Sequence, residues 1–123
     1  TFTGHRSDLK QIYAVSSIVL SLSSTPESFG RTVAEALSIG TPVVGYNHGG
    51  VAEILAAQFP LGAVETGNLD ALTERAASIL TQSPRPIPGP NVFEKSTMLS
   101  RTLEVYVSAA ELHPTSTERK RVV

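Results

Sequence analysis

Between Thr25 and Leu37 the chain reads Thr25-Pro26-Glu27-Ser28-Phe29-Gly30-Arg31-Thr32-Val33-Ala34-Glu35-Ala36-Leu37. A helix opens inside this stretch, because Val33, Ala34 and Leu37 recur at helical spacing. The first amides of a helix lack internal partners and carry the positive end of its dipole, so they attract anions. Gly30 has no Cβ, which lets a ligand come close to the backbone, and the combination suits a phosphate. Glu27 and Glu35 flank that turn. An ionised carboxylate only accepts hydrogen bonds, so it suits vicinal hydroxyls and repels phosphate. A phosphate-holding turn between two hydroxyl-holding carboxylates describes a nucleotide-diphosphate sugar as ligand. Taken singly, Glu27 also fits a residue that complements the dipole, and Glu35 a solvated helix position. The apolar neighbours of Glu35, Ala34 and Leu37, weigh against the second.

The elements that must position these residues follow from periodicity. Thr1-Phe2-Thr3 reads as the tail of a strand, and Asp8 with Gln11 as a capping box opening a helix to Val15. Ile18 to Leu22 reads as a buried strand leading into the turn. The helix after it stops at Gly40, with Pro42 beyond, and Pro42 to Gly45 is the next strand. A third helix covers Val51 to Gln58, and Leu61 to Val64 is a weak strand. Asn68 caps a helix whose stripe is Leu69, Leu72, Ala76, Ile79 and Leu80. Residues 83–91 are a Pro-rich extended linker, 92–112 a last helix, and 113–123 a disordered tail. Short strands alternating with helices define an α/β fold, a Rossmann-like doubly wound parallel sheet with right-handed crossovers. Ligands of such sheets bind at the carboxyl ends of the strands.

The 123 residues, 41% hydrophobic and 17% charged, are one small globular unit. Ten Lys and Arg against 11 Asp and Glu leave a charge of -1, which excludes a general nucleic-acid footprint. Without cysteine there are no disulfides and no thiolate zinc site. The histidines at 5, 48 and 113 show no metal-ligand spacing, and Asp8 and Asp70, the only aspartates, form no paired metal motif, so no metal is expected. Short apolar runs exclude a signal-peptide core and a membrane span. His5 and Arg6, after the first strand, suit either a solvent-exposed cap or the vicinity of a nucleobase. His48-Gly49-Gly50 is either a helix-opening turn or a ligand contact, and Arg119-Lys120-Arg121 either a solvated tail or a contact with anionic lipid.

The run Pro26-Glu27-Ser28-Phe29-Gly30 through Glu35-Ala36-Leu37, then Gly40-Thr41-Pro42-Val43-Val44 and Gly49-Gly50 with Glu53, resembles group 1 glycosyltransferases. The resemblance, family-4-like, runs from Phe2 to about Leu80. It implies part of the C-terminal lobe (residues 1–82) of a retaining enzyme of two Rossmann-like lobes, the GT-B architecture. By resemblance Glu27 is the catalytic-site glutamate that binds donor-sugar hydroxyls, and Ser28, Phe29 and Gly30 hold the diphosphate through the backbone. Glu35 corresponds to the glutamate that holds the nucleotide ribose. Retention implies attack on the face from which the diphosphate leaves, with no carboxylate nucleophile required.

The resemblance also implies a longer parent enzyme: upstream strands, an arginine and a lysine that face the diphosphate, and a whole lobe for a lipid-linked, polysaccharide or other glycan acceptor. The isolated chain is therefore expected to be inactive, with two glutamates and no such cation at the pocket. The missing strands, placed between the one ending at Phe2 and the one starting at Ile18, would leave exposed sheet edges through which copies self-associate. The parent is expected in the cytoplasm, at or near the inner face of the membrane. The competing reading is a non-catalytic nucleotide-binding or regulatory module of the same fold. A receiver-like signalling domain is disfavoured, because no acidic cluster sits at a strand end.

Overall fold

Val43-Val44-Gly45-Tyr46 is buried at every position, which a strand achieves only when both faces are covered. It is the centre of the sheet in a computed structural model that describes residues 1–86 and 94–112. The chain divides into two units, Thr1–Pro90 and Asn91–Val123. In the first unit the order is α1 (Leu9–Val15), β1 (Val19–Ser21), α2 (Arg31–Ile39), β2 (Val43–Tyr46), α3 (Gly49–Gln58), β3 (Ala63–Val64) and α4 (Leu69–Gln82), with a 3-10 turn at Pro60–Gly62. The described part of the second unit is one helix, α5 (Lys95–Leu112).

The strands stand in the order β1-β2-β3, both pairs parallel, with Val19 opposite Val43 and Gly45 opposite Ala63. Parallel neighbours require crossovers, and α2 and α3 supply them while packing against each other and the sheet. The core is Val33, Ala36 and Leu37 of α2, Val43 and Val44, Val51, Ile54 and Leu55 of α3, and Leu72 and Ile79 of α4. This is an α/β fold, the pattern of part of a Rossmann-like lobe.

Several local expectations change. Residues 1–3 form no strand and Phe2 is fully exposed, since among the described residues nothing pairs with them. The sheet thus has three strands where four were expected. β1 is an edge strand, and Leu20 is 49% exposed instead of buried. The Asp8–Gln11 capping box is not made, because Arg6 takes the Asp8 carboxylate. On α4 the ends of the apolar stripe, Leu69 and Leu80, stay exposed. The rest of the linker, residues 92–93 of the last helix, His113 and the tail lie outside the described residues.

The ends of the helices follow their capping residues. Asn68 Oδ1 accepts from the Ala71 amide at 3.0 Å. Gly40, at φ 89°, closes α2 with paired bonds, Thr41 N–H to Ala36 O and Gly40 N–H to Leu37 O. Thr41, in that turn, is buried and donates its hydroxyl to Tyr13 O at 2.8 Å, tying the end of α1 to the end of α2. Thr41→Val should therefore cost about 1 kcal/mol in urea unfolding, whereas Thr41→Ser should retain most of the stability.

Candidate functional site

The turn between β1 and α2 lies on the backbone of another turn. The Gly50 amide donates to Glu27 O at 2.8 Å. A Cβ on Gly50 would stand 2.5 Å from the Phe29 backbone, and one on Gly49 2.5 Å from Glu27 O. The Gly-Gly pair is thus what lets residues 27–29 settle on the start of α3. His48, the N-cap of α3, adds a second tie from Nε2 to Ser23 O at 2.9 Å. A carbonyl can only accept, so Nε2 is assigned the proton. His48 thus stands at the N-cap of α3 by its backbone, while its ring ties the preceding loop and makes no cap bond to the helix. Gly30 is buried at φ 72°, a conformation that favours glycine, and its carbonyl accepts from Val33 and Ala34 as α2 begins.

On this frame the Glu27 side chain is exposed, and among the described residues its carboxylate has no hydrogen bond or ion pair. Ser28 and Phe29 are exposed beside it. Glu35 lies one face along α2, with a side chain 27% exposed that accepts from Arg31 Nε at 2.7 Å. The pair raises the Arg31 guanidinium above its ordinary value, chiefly through that hydrogen bond.

Glu35 borders a cleft of about 580 Å³ together with His5, Arg6, Lys10, Arg31 and Thr32. The structure therefore brings together three of the residues singled out from the sequence, Glu35, His5 and Arg6. Glu27, Ser28, Phe29 and Gly30 do not line this cleft; they reach it through Arg31, the residue that follows Gly30. The upstream arginine and lysine that the resemblance implies at the diphosphate are not residues of this chain, but the Glu35 cleft has cations of its own. Arg6, Lys10 and Arg31 all line it, because α1 folds back beside α2. Arg31 and Lys10 stand out in no motif; the available signal was a basic residue directly after a phosphate-type turn.

Arg6 donates from Nε to Asp8 at 2.8 Å, and this hydrogen bond holds the Asp8 carboxyl below its ordinary value. Among the described residues no three His, Cys, Asp or Glu side chains gather as a metal site, and no helix is long and apolar enough to cross a membrane.

The model of the family "Glycosyl transferases group 1" matches residues 1–93. The chain belongs to this family. Over 67 residues it is 36% identical to a 2-deoxystreptamine N-acetyl-D-glucosaminyltransferase of Streptomyces fradiae. That match covers 54% of this chain and 16% of the relative, so the chain spans a small part of that protein's length. No solved structure gives a significant match.

Two expectations test this geometry. Gly50→Ala must push the 27–29 turn off α3 and should destabilise the chain by roughly 2–4 kcal/mol in chemical unfolding, since backbone and not a flexible side chain stands in the way. The Asp8 carboxyl titrates below its ordinary 3.8, so its pair with Arg6 stabilises above that range and is lost as pH falls through the lowered value. The melting temperature of wild type should exceed that of Asp8→Asn slightly at neutral pH, and the difference should vanish in acid.

Proposed function

We propose that this chain is the donor-binding part of the C-terminal lobe of a retaining, family-4-like GT-B glycosyltransferase. The parent enzyme moves a sugar from a nucleotide-diphosphate sugar to a glycan or lipid-linked acceptor. One observation carries the reading beyond family membership: a part-buried carboxylate, Glu35, shares a cleft with His5 and Arg6 one helical turn from Arg31, the residue that follows Gly30. Glu35 takes the ribose hydroxyls, with His5 and Arg6 toward the base. Ser28, Phe29 and Gly30 present the turn that receives the diphosphate, whose charge grows as it leaves, and donors aligned beforehand lower that barrier. Glu27, whose carboxylate no other group occupies among the described residues, takes hydroxyls of the transferred sugar.

The acceptor is held by a further lobe, which also excludes water and positions the attacking hydroxyl. Positioning can supply about 7–11 kcal/mol, so the 123-residue chain alone transfers nothing. The open edge of β1 is paired in the parent by further strands, and in the isolated chain it invites a second copy. No metal takes part in this scheme, and the reaction runs in the cytoplasm, at the inner membrane face when the acceptor is lipid-linked. The relative's name makes an N-acetylglucosaminyl donor the first to assay.

Steady-state kinetics of the parent enzyme test the two glutamates. Glu35→Ala should raise KM for the donor, because ribose contacts are alike in ground and transition states. Glu27→Ala should mainly lower kcat, because contacts near the reacting carbon tighten as charge develops. Each loss should be about 1.5–3 kcal/mol in kcat/KM. Unchanged kcat/KM in both variants would overturn these roles.

A further inference from the structure

Arg31 is oddly placed for a residue that serves its helix. It is the first residue of α2, where the positive end of the dipole disfavours a cation. Its pair with Glu35 runs cation-first at i,i+4, the weaker orientation. With side chains 85% and 27% exposed, the pair stabilises little. The helix therefore gains too little from the pair to account for Arg31.

Within the donor-site reading above, on which this rests, we propose that Arg31 is a two-position cation. Without donor it occupies the Glu35 carboxylate; when the ribose hydroxyls take Glu35, the released guanidinium turns onto the donor's diphosphate.

Three features support the exchange. A vicinal diol and a guanidinium want the same carboxylate oxygens, and Arg31 Nε already holds Oε1 at 2.7 Å. Both side chains line one cleft, so the competition takes place where the donor would lie. Glu35 is the only hydrogen-bond and ion-pair partner of the guanidinium among the described residues, and the backbone of Arg31 adjoins Gly30, so the freed group stays beside the diphosphate turn. Its planar fork matches phosphate oxygens in pairs. The nucleoside half of the donor thus prepares the site for the diphosphate half, and a nucleoside without phosphate must displace Arg31 with no return.

The parent enzyme tests this by calorimetric titration with uridine, guanosine and adenosine and with their diphosphates, using the base that binds most tightly. In Arg31→Gln the nucleoside should bind roughly twofold tighter, because its competitor is gone. The nucleoside diphosphate should bind roughly tenfold weaker or worse, because its cation is gone. Arg31→Lys should recover much of the diphosphate affinity, and Arg31→Gln should melt no lower than wild type. Affinities that move together, or not at all, would overturn the exchange and leave the donor site standing. If wild type binds none of these nucleotides, the donor-site reading falls, and the exchange falls with it.

Discussion

Everything at the candidate site depends on one contact between two pieces of backbone. The residue 27–29 turn rests on Gly49 and Gly50 at a distance no side chain allows. That approach lets the Gly50 amide bond to Glu27 O, which sets the height of the turn above the sheet. With the turn in place, Gly30 can take its left-handed conformation and α2 can start at Arg31. Remove the closeness and both helix starts move apart. Two segments about twenty residues apart in sequence are thus one structural unit.

The sheet beneath makes this contact possible. β2 is apolar at each position and buried on both faces, so β1 and β3 are held by a strand that has no other stable place. Val51 and Leu55 of α3 are buried in the core, and Gly45 leaves room for them above the middle of β2. The site is irregular backbone on a regular support, as in other parallel sheets whose loops carry function. Its charges behave differently from its backbone. Arg6–Asp8 and Arg31–Glu35 are exposed pairs of little energetic weight, so they can be exchanged for ligand contacts at low cost.

Much of the architecture was legible in the residues themselves. Helices α2, α3 and α4 announce themselves by apolar spacing and by stops and starts such as Gly40, Pro60 and Asn68, whose effects are local. The alternation with β-branched runs makes the parallel α/β sheet the natural outcome. Residues 1–3 form no strand and β1 leaves Leu20 exposed, because a strand depends on neighbours that local sequence does not name. The Asp8 capping box failed for a similar reason: two residues away, Arg6 offered a charged partner.

The sequence by itself determined which residue types were available at the site: two carboxylates, a glycine turn and a Gly-Gly pair in a family-specific order. It could do so because helix starts, turns and motif spacings are short-range matters. Only the tertiary structure decided which of them meet. The chain's return beside α2 carries His5, Arg6 and Lys10 to the rim of the Glu35 cleft. Electrostatic surroundings are sums over whatever the fold brings within a few ångströms, and no local pattern encodes that sum.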